Sequence, residues 1–237
     1  MPDALASESP LARFARMKHS SPQLTYGLSV YERPLLGYLN LRGDLSDAGF
    51  AHAVAGVLGM PPSIANTFTL AEGATIRWLG PDEWLVVMPG ERAVDAVRAL
   101  QHEFVGSFAS VTDVSGGQTS IVLRGRGARE VLEKGCPLDF DPRAFGANRC
   151  AQSHVAKAPV LIRPAGDGPA FEIVVRRSLA EYLWTWLSTQ RPSSGGPPER
   201  AHETGTIARH ILTTMRLLRI VPGLAAKHAR PDASSLW

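Results

Sequence analysis

Residues 74–89 read "ATIRWLGPDEWLVVMP", and this stretch decides the fold class. Two β-rich runs, "ATIRWLG" and "EWLVVMP", flank Gly80-Pro81-Asp82-Glu83, whose residues favour a tight turn. The stretch therefore predicts an antiparallel hairpin. Working outward, "ERAVDAVRALQHEF" follows as a helix with Val94, Val97, Leu100 and Phe104 along one face. Upstream, "DLSDAGFAHAVAGVLG" predicts a helix with Phe50, Val54, Val57 and Leu58 at helical spacing. Ser46 or Asp47 is its natural N-cap, and Gly59 before Pro61-Pro62 ends it. Before that helix, "YGLSVYERP" and "LLGYLNLRG" are strand-like.

The same order recurs downstream. "TSIVLRG" is a strand and "RGAREVLEKG" a short helix; "APVLIRP" and "AFEIVVRR" form a second hairpin, and "SLAEYLWTWLSTQ" a closing helix. Leu41-Arg42-Gly43 aligns with Leu123-Arg124-Gly125, Ile76-Arg77 with Ile162-Arg163, and Val86-Val87 with Val174-Val175. The expected fold is α+β: two similar β-α-β-β-α units packed as one domain, with mostly antiparallel sheets and helices covering one face. The bland alternative is that the halves share only generic strand–helix grammar. The expected organisation is a mobile leader at 1–24, a body at 25–190 with halves of about 25–108 and 109–190, and a tail at 191–237. The tail opens with a Pro/Gly/Ser-rich linker and continues into a short basic amphipathic helix, with Ile207, Ile211, Met215 and Leu218 on one stripe.

Charge follows the same division. Residues 1–190 hold 18 Lys/Arg and 19 Asp/Glu, whereas 191–237 hold 7 and 3, so the net +3 belongs to the tail. A neutral body disfavours nucleic acid as its partner. The tail suits an anionic surface or a partner helix. No run of about 18 apolar residues is present to span a membrane. The N-terminal residues lack a secretory h-region, and two cysteines make no disulfide framework; a cytoplasmic location is expected.

A search for chemistry yields no catalytic set and no metal site. The seven histidines are scattered, and "QHEF" lacks the second His of a zinc motif. Gly125 and Gly127 stand between strand and helix like a dinucleotide loop, but Glu130 occupies the third glycine position, so a strand-to-helix turn is the better reading. Arg124 could meet an anion or a partner chain there, although solvated charge at a helix entrance is the plainer reading. Asp113 in "DVSGGQTS" is a candidate base or ligand contact, although the Gly-x-Ser-x-Gly elbow is lacking. Cys136 sits at a helix end before Pro137, an environment that does not activate a thiol. Trp84, Trp184 and Trp186 are candidates for core or interface; Trp184 and Trp186 are two apart on a helix and cannot share one face.

The segments "WLGPDEWLVVMPGE", "DVSGGQTSIVLRGRGAREVLEKGCPLDFDPRAF" and "CAQSHVAKAPVLIRP" with "FEIVVRRSLAEYLWTWL" resemble the gamma subunit of heterotetrameric sarcosine oxidase. That family is similar in turn to the folate-binding T-protein of glycine cleavage. The resemblance spans about 25–190 and implies a T-protein-like fold. It also implies a non-catalytic subunit working with alpha, beta and delta chains in the oxidative demethylation of sarcosine to glycine. FAD, FMN, NAD and tetrahydrofolate are implied for the complex, with no cofactor bound by this chain alone. The alternative is a free-standing folate-binding aminomethyltransferase-like protein; a body of this length has no room for the further domains of a full T-protein.

Overall fold

In the computed structural model the described residues are 8–17, 23–24, 27–71, 73–166, 168–190 and 192. The helix expected around Ile207–Leu218 lies outside them. The hairpin at 74–89 forms from β5 (Ala74–Gly80) and β6 (Glu83–Pro89), with a register shift between Trp78 and Gly80 before the Pro81-Asp82 turn. Its continuous apolar run has a physical reason, because both faces of the hairpin are covered. Ile76, Trp84, Val86 and Met88 pack towards helices, while Leu85 and Val87 pack towards a second sheet.

The hairpin lies within a five-stranded antiparallel sheet. β3 (Leu36–Arg42) pairs with β6, β4 (Phe68–Ala71) with β5, and β7 (Ser110–Asp113) with β3, giving the order β4-β5-β6-β3-β7. Helices α2 (Ala48–Leu58) and α3 (Gly90–Glu103) cover its outer face. Asp47 caps α2 by accepting from Gly49 N at 2.8 Å, and Gly59 ends it at φ +90°, a backbone conformation that suits glycine. In α3 the buried face is Ala93, Ala96 and Leu100, while Val94 is exposed, unlike the face expected. The cause is close approach: a Cβ on Gly37 of β3 would lie 2.6 Å from the Ala93 Cβ, so only small residues fit at the start of the helix.

The second sheet has six antiparallel strands. β1 (Gln23–Leu24), β2 (Leu28–Arg33), β8 (Gln118–Gly125), β11 (Ala170–Arg176), β10 (Ala158–Pro164) and β9 (Ala151–Val155) follow one another across it. On its outer face lie α1 (Ala12–Met17), α4 (Ala128–Glu133) and α5 (Ala180–Thr189). Leu11, within the stretch expected to be a mobile leader, is buried in this layer, and Phe14 packs on Trp184 with ring centroids 6.1 Å apart. An apolar pair at this spacing anchors even a one-turn helix.

The two sheets have matching orders, β4-β5-β6-β3-β7 and β9-β10-β11-β8-β2. Each sequence half runs β-β-α-β-β-β-α rather than β-α-β-β-α. The additional strands β4, β7 and β9 are short and mixed in polarity, so they carry little hydrophobic pattern. The halves also interlock. β2 pairs with β8 of the second half, and β7 pairs with β3 of the first. The inner faces of the sheets meet through Tyr38, Phe68, Leu85 and Val87 on one side and Leu161 and Val174 on the other.

Candidate functional site

The most unusual chemistry among the described residues lies in this layer between the sheets. A strand sends alternate residues to opposite faces. On β11, Phe171, Ile173 and Val175 therefore point to the helices, and Glu172 and Val174 to the other sheet. Pairing places Glu172 directly opposite Arg163 of β10 on one side and Val122 of β8 on the other, with Tyr31 of β2 opposite Val122. From the facing sheet, Arg77 on β5 reaches the same carboxylate.

Glu172 and Arg77 are both fully buried. Arg77 Nη2 lies 2.9 Å from Glu172 Oε2, Arg163 Nη2 lies 2.5 Å from the same oxygen, and Arg33 Nη1 donates to Oε1 at 3.1 Å. Three guanidinium groups thus surround one carboxylate. Burial works to raise the Glu172 carboxyl, but Arg77, Arg163 and Arg33 together outweigh it and hold it at about 2. Burial pushes the Arg163 guanidinium down from its ordinary value, against the pull of Glu172. Arg77 Nε donates to Thr75 Oγ1 at 3.0 Å, yet Arg77 Nη1 and Arg163 Nε have no hydrogen-bond partner among the described residues.

Neighbouring polar groups complete the layer. The Tyr38 hydroxyl donates to Ser120 Oγ at 3.0 Å, and burial raises its pKa to about 12. Cys150 Sγ lies 3.1 Å from the Thr67 carbonyl, and burial pushes its thiol up to about 11, so it is a neutral donor at ordinary pH. A permanently ionised acid, an un-ionised phenol and a neutral thiol form an inter-sheet ionic clamp rather than a proton-transfer set. Removing the Tyr38 hydroxyl by Tyr38→Phe strands Ser120 Oγ in a buried site. This is expected to cost about 1–2 kcal/mol, read as a lower urea midpoint at unchanged slope; an unchanged midpoint contradicts it.

The residues singled out from the sequence do not converge on this layer as a group. Trp84 is fully buried under α2, donates Nε1–H to the Pro62 carbonyl at 2.9 Å and stacks obliquely on Phe50, so it offers no surface to another chain. Trp184 is likewise buried, while Trp186 is half-buried over Gly135, where a Cβ would clash with its ring at 2.5 Å. Asp113 is exposed at the end of β7, and its Oδ1 accepts from Ser115 N and Oγ at 2.9 and 2.5 Å, shaping the turn into Gly116-Gly117. Arg124 is exposed on the inner face of β8, opposite Ser29.

The glycines of "RGRG" have a packing role. At φ +128°, a Cβ on Gly125 would meet the Gly27 carbonyl oxygen at 2.0 Å, and one on Gly127 would meet Pro192 at 2.6 Å. Cys136 is buried against the second sheet's core. Among the described residues, no group of three or more His, Cys, Asp or Glu is placed to hold a metal ion, and no helix is long and apolar enough to cross a membrane.

Sequence reasoning treated Arg77 and Arg163 only as landmarks of internal similarity and passed over Glu172. The available signal was a charge interrupting each of three apolar strand runs: "ATIRW", "VLIRP" and "FEIVV".

Comparison with known proteins agrees with this architecture. A chain of the heterotetrameric sarcosine oxidase from Corynebacterium sp. U-96, solved in complex with pyrrole 2-carboxylate, superposes with a TM-score of 0.69 at 28% identity, covering 77% of this chain and 93% of that one. The glycine cleavage system aminomethyltransferase T from Bartonella henselae shares the fold at TM-score 0.52 and 13% identity, over 70% of this chain and 47% of that one. In sequence, the sarcosine oxidase subunit gamma of Corynebacterium sp. (strain P-1) is 34% identical over 188 residues, which is 76% of this chain and 90% of the relative. The subunit gamma of an Arthrobacter species is 34% identical over 154 residues, or 64% and 72%. Residues 42–193 match the family model described as sarcosine oxidase, gamma subunit family. The match to this family model over more than half of the chain, together with a relative 34% identical over 76% of it, places the chain in the sarcosine oxidase gamma subunit family.

Proposed function

We propose that this chain is the gamma subunit of a heterotetrameric sarcosine oxidase and that it contributes structure rather than reacting groups. Membership of the family, over most of the length of its relatives, carries this reading. The inter-sheet layer supports the non-catalytic part of it, since its ionisable side chains are locked in protonation states unsuited to proton transfer at neutral pH. In this reading alpha, beta and delta chains hold FAD, FMN and NAD and oxidatively demethylate sarcosine to glycine, with tetrahydrofolate accepting the one-carbon unit in the cytoplasm. The matching sheet orders are read as the product of an internal duplication.

Affinity purification of the tagged chain from its native cell tests the assignment. A flavin-coloured complex containing larger subunits is expected, and recovery of the chain alone would overturn it. Calorimetry of the purified chain with tetrahydrofolate is expected to show no binding; binding in the micromolar range favours a free-standing aminomethyltransferase-like role instead.

A further inference from the structure

The inner face of the six-stranded sheet is only partly covered by the other sheet. Reading across the strands, one row runs Arg33, Ser120, Val174, Leu161; the next runs Tyr31, Val122, Glu172, Arg163; a third runs Ser29, Arg124, Ala170. Val122, Val174 and Glu172 are buried, but at the β2 end Tyr31 is 41% exposed, the Arg33 side chain is 43% exposed, and Arg124 is exposed. An aromatic ring and two arginines thus stand on an open sheet face, the residue types enriched at interface centres.

The charge of this face is one-sided. Among the described residues, Arg33 and Arg163, with Arg77 from the facing sheet, share the single carboxylate of Glu172, and Arg124 stands on the same face opposite Ala170. The adjacent Glu32 turns to the opposite face, where Thr119 Oγ1 donates to it at 2.6 Å. Glu83, on the facing sheet, is engaged by Asn40 and Arg42. Three guanidinium groups against one carboxylate leave this cluster net positive.

We infer that the open face formed by Tyr31, Arg33 and Arg124 is a docking surface for an acidic segment of a larger subunit. This rests on the subunit reading given above. Charge complementarity selects the occupant. The chain's own residues 191–237 carry 7 Lys/Arg against 3 Asp/Glu and would be repelled. A second copy presenting the same face would set like charges together.

The test is co-expression of the full chain with its larger subunits, followed by measurement of the subunit dissociation constant. At low salt, about 0.05 M, Arg124→Glu is expected to weaken assembly about tenfold, and the gap to the unsubstituted protein should narrow at about 0.5 M salt. Arg98→Glu, on the exposed side of α3, reverses an equivalent charge elsewhere and should leave the constant unchanged. Circular dichroism checks that both variants fold. Assembly of Arg124→Glu at full affinity, or equal weakening by both substitutions, overturns the docking surface while leaving the subunit assignment standing. Failure of the unsubstituted chain to assemble overturns the assignment, and the docking surface with it.

Discussion

Glu172→Gln is expected to destabilise the protein by about 3–5 kcal/mol, because it leaves Arg77 and Arg163 buried without their counter-charge. For a domain of this size that is a fall in melting temperature of about 6–20 °C. The surface pair of Arg13 with Glu181 provides the contrast: Glu181→Gln should change stability by less than about 1 kcal/mol, since both groups are solvated. The clamp also sets a dependence on acid. The Glu172 carboxyl is held at about 2 in the folded protein against an ordinary value of 4.5. Its depressed pKa contributes stability that is fully present above 4.5 and is lost as pH falls towards 2, an amount of about 3 kcal/mol. Unfolding free energies measured by urea titration should therefore converge for the two proteins between pH 5 and pH 2. A gap that stays constant over that interval, or a Gln variant as stable as the parent at neutral pH, contradicts the clamp.

Trp84→Ala is expected to lower stability by about 3–5 kcal/mol, the range for emptying a large aromatic site in a packed core. The indole is fully buried between α2 and the sheet, beside Phe50, and its N–H satisfies the Pro62 carbonyl. Trp84→Phe retains much of the packing but orphans that carbonyl, for an expected loss of about 1–2 kcal/mol in addition to any residual cavity. Urea denaturation of both variants separates volume from hydrogen bond. A side chain that served mainly to meet another subunit would behave differently, with Trp84→Ala leaving the isolated chain's midpoint in place and weakening only assembly.

The parts of the fold legible in the sequence are those governed by local chemistry. The hairpin at 74–89 is announced by its turn residues, and α2 by Asp47 and Gly59 at its ends. Membership in the gamma subunit family is likewise carried by ordered local segments. What is not legible is choice of partner. β2 shows only alternating burial, which says that one face is inside but not that its neighbour is β8. Arg77 and Arg163 were visible as charges within apolar runs; that both close on Glu172 depends on two sheets meeting, a long-range consequence of the whole packing. The candidate tryptophans show the opposite limit. A large aromatic reads equally well as core or contact until the layer above it is known, and Phe50 and Pro62 supply that layer for Trp84.

The exchange of β2 and β7 between the sheets governs the order of events during synthesis. Beyond its short pairing with β1, β2 must wait for β8 to leave the ribosome before its second edge is filled, Leu28 meeting Gly125, while β3, already made, waits for β7 to fill its own outer edge. The first half therefore emerges with two unfilled strand edges, the kind of surface that invites aggregation or capture by chaperones. Pairings so distant along the chain close loops at an entropic cost and slow folding. Once both exchanges are made, each half holds a strand of the other, and local opening of one sheet edge strips a neighbour from its counterpart. Slow assembly and shared loss are two results of one crossing of strands.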